Sequence, residues 1–258
     1  MTQQLRPNKK KLDEIIKQQS YFVTKRNDLV QKSRYELTAD QNRALLYLIS
    51  KIKPDDTGTE VYEISLREFC QVCNIDPNSG HNIEDAQRAM QAIADKSVWV
   101  KRGHKEILLR WLNHVELNQL TRRFEVSFHE DILPYLYNLR TRYVQYSLEN
   151  ILTMESRYGM RLYELLKSYE KLGRDVSFSV DELRQRLGAE SYTRYSDFKR
   201  RVLDTAMKDI NECSDIEASY TTTQGKNRTT ETVIFSIRQP DIAEMCARMM
   251  RKRQRLEE

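Results

Sequence analysis

The sequence predicts an α+β chain in which one small module occurs twice in tandem. Three observations carry this: the same order of elements in both halves, matched residues within that order, and a hairpin-forming stretch at the end of each half. In the first half, Leu37 to Ile52 is helix-forming, with Thr38 as N-cap and Ala44, Leu45, Leu48, Ile49 and Ile52 spaced for one buried face. Pro54 and the DDTGT segment stop it. VYEIS (61–65) alternates as a strand, Ser65 caps a short helix through Leu66, Phe69 and Val72, and Asp76 to Gly80 turn the chain. A longer helix from Asn82 to Lys96 follows, with Ile83, Ala86, Met90 and Ile93 on one side, and then β-rich stretches at 97–102, 106–119 and 122–128.

The second half repeats that order: helix 155–171, strand 175–179, short helix 180–187, longer helix 195–212, and strands at 215–222 and 231–237. Leu46, Tyr47, Ile49 and Lys51 correspond to Leu162, Tyr163, Leu165 and Lys167. Ile64, Ser65, Glu68, Phe69 and Gln71 correspond to Phe178, Ser179, Glu182, Leu183 and Gln185. Helix, strand, short helix, longer helix and hairpin is the order of a winged helix, whose second helix enters the major groove of DNA while the hairpin flanks it. The expectation is therefore two tandem winged-helix domains related by internal duplication. Residues 1–20 read as a polar arm with a helix-forming stretch near Leu12 to Ile16, 21–142 as the first domain, 143–246 as the second, and 247–258 as a basic tail. YVQYSL (143–148) reads as a strand leading straight into the second domain, and the lack of a Pro/Gly/Ser linker predicts closely coupled units.

Composition restricts the function. With 39% hydrophobic and 31% charged residues, the chain suits a helix-rich globular protein. No stretch approaches the ~20 apolar residues that cross a bilayer, and the start MTQQLRPNKKKLDEII lacks a signal peptide's apolar core, so no membrane partner and a cytoplasmic location are expected. The formal charge of +5 permits a nucleic-acid partner, and the positive charge is local, at Lys9 to Lys11, Arg194 to Arg201 and Arg248 to Arg255. Cys70 and Cys73 form a lone CxxC without a second half, which leaves a half-site for metal or, alternatively, two small apolar side chains on a helix. His81, His104, His114 and His129 never form the HxH of a rolling-circle nuclease, and no glycine sits in the GxxxxGK[ST] of an ATPase. Glu130 and Asp131 suit a surface or a cap better than a catalytic pair. No enzymatic activity, cofactor or metal is expected.

The helix at 195–212 is the strongest candidate for reading DNA. A helical wheel collects Val202, Leu203, Ala206, Met207, Ile210 and Cys213 on one face, with Phe198 at its edge, and Arg194, Asp197, Arg200, Arg201, Asp204 and Lys208 on the other. Arginine pairs in bidentate fashion with guanine or holds phosphates, which puts Arg200 and Arg201 first. Ser196 is placed to cap the helix or touch a phosphate, and Lys199 to snorkel outward from the apolar side. The alternative is an ordinary surface helix whose arginines pair with Asp197 and Asp204. The adjoining tip TTTQGKNRTT (221–230) offers Lys226 and Arg228 to phosphates as a wing would, or is a generic polar turn. The first-domain helix opens on His81, Asn82, Ile83, Glu84 and Asp85, whose carboxylates would repel a phosphate backbone. There Gln87, Arg88 and Arg102 are the DNA candidates. Alternatively that domain serves protein contacts, with Lys25, Arg26, Lys101, Arg102 and His104 as scattered charge.

TKRNDLVQKSRYELTADQNRALLYLISKI (24–52), ESRYGMRLYELLKSY (155–169), FSVDELRQRLG (178–188) and YSDFKRRVLDTAMKDIN (195–211) resemble the theta-type, iteron-binding plasmid replication initiators, over roughly residues 20–240. The resemblance implies a sequence-specific double-stranded DNA-binding protein that binds direct repeats at an origin as a monomer. It further implies a homodimer in equilibrium with that monomer, which represses its own promoter at an inverted repeat, and host partners in the replication initiator and replicative helicase. It assigns the dimer surface and part of the DNA contact to the first domain and the main base readout to the second, where Lys199, Arg200 and Arg201 match the family's basic stretch. The alternative from the residues alone is a winged-helix transcriptional regulator without a replication role.

Overall fold

Four helix starts among the described residues are set by short hydroxyl side chains, Thr38, Ser65, Ser156 and Ser179. The computed structural model describes residues 21–225 and 230–257, so the N-terminal arm and the hairpin tip with Lys226 and Arg228 lie outside the described residues. Strand β1 (Phe22–Arg26), α1 (Asn27–Gln31) and the short β2 (Ser33–Arg34) lead to α2 (Ala39–Ile49). Thr38 caps α2 in a reciprocal box with Gln41, as its sequence position predicts. Strand β3 (Tyr62–Ser65) runs directly into α3 (Leu66–Val72), and α4 (Asn82–Ala94) completes the first helical trio. In the second half, α7 (Arg157–Lys167), β9 (Val176–Ser179) and α8 (Val180–Leu187) repeat the arrangement. Ser65 accepts a hydrogen bond from the Glu68 amide at 3.5 Å, and Ser179 accepts one from the Glu182 amide at 3.1 Å. Equivalent serines therefore start equivalent helices.

The sheets repeat as well. In the first domain β6 (Leu112–Asn118) and β7 (Arg123–Phe128) form the wing, and β7 pairs antiparallel with β3 in the order β3-β7-β6. In the second, β10 (Glu217–Gln224) and β11 (Thr230–Arg238) give the order β9-β11-β10, so in both the returning wing strand bonds to the short strand before the helix-turn-helix. The predicted run at 106–119 divides at Trp111. That ring is fully buried, edge-on to Tyr35 with centroids 5.4 Å apart, and it separates β6 from an additional hairpin of β4 (Ser97–Arg102) and β5 (Lys105–Arg110). The hairpin joins β2 in a sheet of order β2-β4-β5. The wing is thus the second of two hairpins.

The two modules are fastened together by ionised groups. A 3-10 turn at Glu130–Ile132 and α5 (Leu133–Leu136) lead to β8 (Tyr143–Ser147), which pairs with β1 from Phe22↔Ser147 to Arg26↔Tyr143, before α6 (Glu149–Leu152) and α7. The sequence alone places Lys25 among scattered surface charges. It is instead 1% exposed and salt-bridged to Glu164 of α7, itself 1% exposed. Glu164 also accepts from the Tyr146 hydroxyl and lies 3.5 Å from Arg161. Arg161 in turn donates to the Tyr35 hydroxyl at 2.9 Å and to Ser33 Oγ at 3.3 Å. Burial opposes ionisation of Glu164, but Lys25, Arg161 and Tyr146 outweigh it and hold the carboxyl below its ordinary value. Gly188, in the left-handed region at φ 61°, ends α8 against the other module: a Cβ there would meet Glu36 Cγ at 3.0 Å and the Tyr35 carbonyl at 3.3 Å. After β11, α11 (Ile242–Glu257) runs through the expected boundary at 246/247, so the basic tail continues a helix begun inside the second domain. Arg248 anchors it, donating to the carbonyls of Ser214 at 3.1 Å and Ile216 at 2.6 Å.

Candidate nucleic-acid interface

The second domain's recognition helix is a continuous rod of three segments: α9 (Tyr195–Phe198), a π turn over Lys199–Leu203, and α10 (Asp204–Cys213). Phe198, Val202, Leu203, Ala206, Met207, Ile210 and Cys213 are buried along its length. A regular wheel puts Phe198 at the edge of the apolar face. The wider π turn brings it fully inside, and Thr205 Oγ1 donates to the Arg200 carbonyl five residues back at 3.3 Å. The same change of phase corrects Lys199, which faces solvent directly rather than snorkelling from the apolar side.

Arg194, Ser196, Lys199, Arg200, Arg201 and Lys208 are all exposed. Arg200 is 69% exposed and only loosely held, with Asp197 at 3.4 Å. Arg201 makes no hydrogen bond or ion pair among the described residues. Lys199 is engaged: its ammonium lies 2.9 Å from Asp204, which also accepts from the Tyr220 hydroxyl at 2.6 Å. Burial disfavours the Asp204 carboxylate, yet the Tyr220 and Lys199 hydrogen bonds prevail and hold it below its ordinary value. Burial and the Asp204 carboxylate push the Tyr220 phenol up to about 12. Tyr220 belongs to β10, so this trio ties wing to recognition helix. Among the chain's 14 tyrosines nothing in the sequence marks that role.

Two further contacts fix the rod. Asp209 accepts from the Ser156 amide at 2.7 Å, and Gly159 of α7 lies so close that a Cβ on it would fall 2.5 Å from Asp209 Oδ2. Arg184 and Arg186 of α8 are structural cations, stacked over Phe198 at 5.4 Å and Phe178 at 5.0 Å.

In the first domain Gln87 and Arg88 are exposed on α4, but Arg88 is paired with Asp85, and His81 with Glu84 at 3.1 Å. Arg102 sits at the end of the additional β4–β5 hairpin, away from the wing. The wing tip carries Arg122, at φ 53°, and Leu120, which is 97% exposed. Sequence reading does not single these out, although NQLTRR (118–123) between two alternating strands is the available signal. Cys70 and Cys73 are buried on α3 and at its end, and desolvation pushes the Cys70 thiol up to about 11 and raises the Cys73 thiol too. Among the described residues no helix is long and apolar enough to cross a membrane.

Comparison with known proteins agrees with this layout. The chain is 28% identical over 230 residues to a "Replication initiation protein" of Escherichia coli, covering 83% of this chain and 69% of that protein. It is 24% identical over 220 residues to an "Uncharacterized 27.6 kDa protein" of Escherichia coli, covering 77% and 88%. Its fold matches the "Crystal structure of Pi initiator protein in complex with iteron DNA" with a TM-score of 0.69 at 17% identity, over 86% of this chain and 98% of that one. The model of an initiator replication protein's first winged helix matches residues 22–167, and that of an initiator Rep protein's second winged helix matches 179–237. These two matches follow the duplicated modules in order, and the protein belongs to the initiator replication protein family.

Proposed function

We propose that this chain is a sequence-specific double-stranded DNA-binding initiator of plasmid replication. In this reading it binds origin direct repeats as a monomer, represses its own promoter as a dimer at an inverted repeat, and works with the host initiator and helicase in the cytoplasm. One observation supports it above others: the second domain turns six polar and basic side chains outward from a helix whose wing is tied to it through Asp204 and Tyr220. That is the geometry of a major-groove reader flanked by a phosphate-contacting hairpin. Arg200 and Arg201 read base edges, and Arg194, Ser196, Lys199, Lys208 and the tip's Lys226 and Arg228 hold the backbone. The first domain adds contacts through Gln87 and Arg88 and through its own wing. The Pi initiator, named with iteron DNA in its complex, has the same fold. No step here needs a catalytic group, cofactor or metal. The test is complementation: an origin fragment with its repeats should replicate only when this protein is supplied. Tight operator binding without replication would make it a regulator instead.

A further inference from the structure

In the first domain's wing, Phe124, Val126 and Phe128 of β7 are buried, and the last paired residues towards the tip are Asn118 and Arg123. The four residues beyond them, Gln119 to Arg122, all face solvent. Leu120 is 97% exposed, the most exposed large apolar side chain among the described residues, and it has no part in the core. The turn that presents it is fixed. Asn118 Oδ1 accepts from the amides of Leu120 at 3.0 Å and Thr121 at 3.1 Å. Arg122 is in the left-handed region at φ 53°, and its carbonyl accepts from the Leu66 amide at 3.0 Å. Leu66 starts α3, the first helix of the helix-turn-helix, which in that motif crosses the DNA backbone. The tip is therefore fastened at the end of the module that meets a duplex.

The duplication supplies a comparison. β11 pairs with β9 as β7 pairs with β3, so GKNRT (225–229) stands in sequence where QLTR (119–122) does. The later segment offers a lysine and an arginine, which hold phosphates, whereas the earlier one carries a leucine at its outermost point. A leucine laid against phosphates would strip water from them and supply no hydrogen bond in return. The inside of a groove is different, because a base step can open there and admit an apolar side chain.

We infer that Leu120 is an apolar wedge: the first wing enters the minor groove beside the sequence read by the second module and drives Leu120 between two stacked base pairs, kinking the duplex. This deepens the proposed DNA-binding reading and rests on it. Gln119 and Thr121, exposed on either side, suit the acceptors that line the groove floor, and Arg122 suits the phosphates at its edge. A turn fixed before contact loses little freedom on entering. Insertion costs least where stacking is weak, so the step is a pyrimidine–purine one, TA or CA/TG. The base contacts of the second module set which step that is. An unstacked step is a starting point for strand separation, which replication from the site requires.

The experiment uses the full chain and a duplex that the wild type selects from a random-sequence library. 2-Aminopurine, whose fluorescence rises when it is unstacked, replaces each adenine of both strands in turn, and end-labelled copies report the bend by energy transfer. Binding of the wild type should brighten the probe at one step and bend the duplex. Leu120→Ser should lose that rise and reduce the bend by about 20° or more, while circular dichroism and the preference for the selected duplex over a scrambled one persist. Leu120→Phe, which keeps a wedge, should retain both the rise and the bend. A bright step that survives Leu120→Ser overturns the wedge and leaves the DNA-binding reading standing. So does a wild type that binds the selected duplex without brightening any position. A chain that selects no duplex overturns the DNA-binding reading and the wedge with it.

Discussion

Replacing Glu164 by Gln tests whether the two modules are held in one orientation by buried charge. The substitution preserves shape and keeps an oxygen that can accept from Tyr146, but it leaves Lys25 buried without a counter-charge. Arg161 suffers less, because Tyr35 and Ser33 still accept from it. At an effective dielectric of about 20, the 3.5 Å separation from Arg161 alone is worth roughly 5 kcal/mol of attraction before desolvation is subtracted. Deleting one partner of such a buried pair costs about 3–5 kcal/mol net, a large fraction of a stability of roughly 5–15 kcal/mol. Urea unfolding at pH 7 should therefore show a clearly lowered midpoint. The pH dependence has a definite sign. Because the folded-state carboxyl is held below its ordinary value of 4.5, its stabilisation is complete above that value and disappears as pH falls through the folded one. The gap between wild type and variant should accordingly narrow in acid. Lys25→Met combined with Glu164→Gln should recover part of the loss. A single variant within about 1 kcal/mol of wild type at neutral pH would refute the argument.

Three other outcomes are expected. Arg200→Ala and Arg201→Ala should each cost about 1–3 kcal/mol at the cognate repeat if they read bases, and titrations in which neither moves the affinity remove both from the interface. Asp204→Asn removes a carboxylate held in its charged form and releases Lys199, so binding to any duplex should tighten and its log-log salt slope steepen by about one; an unchanged slope contradicts this. Gly159→Ala forces a methyl into Asp209 and should destabilise by about 1–3 kcal/mol, with thermal unfolding as the readout and a variant as stable as wild type as the refutation.

What the residues reveal beforehand follows their locality. Thr38, Ser65 and Ser179 announce helix starts because a cap is a contact within three residues, and the apolar spacing of α2 and α7 needs no knowledge of the rest of the chain. The sheet order, by contrast, joins β3 to β7 and β1 to β8 across more than half a domain, and β1 is not legible as a strand because FVTKR carries two cations. Lys25 reads as surface charge until its partner Glu164 is known. A 100° wheel also fails wherever the helix leaves its regular pitch, which is why it misplaces Phe198 and Lys199 around the π turn but not Arg200, Arg201 and Lys208.

The duplicated Tyr and Lys pairs show how one scaffold came to hold two different things. In the first domain Tyr47 donates to Glu68, with Lys51 at 3.4 Å, so the clamp fastens α2 to α3. In the second, Glu182 stands where Glu68 does but pairs with Arg186, and Tyr163 and Lys167 turn instead to Asp215, at 2.8 and 2.9 Å. Asp215 lies between α10 and β10, where the recognition helix hands over to the wing. The same two side chains that brace a supporting helix in one module thus brace the groove-facing element in the other. Together with Asp209 below Gly159 and Asp204 beneath Tyr220, the second recognition helix is fixed along its length by carboxylates, while its arginines remain outside with little to bind within the chain. A helix held so firmly from behind loses little further entropy on contact with DNA, which is what the proposed role of this helix in reading sequence requires.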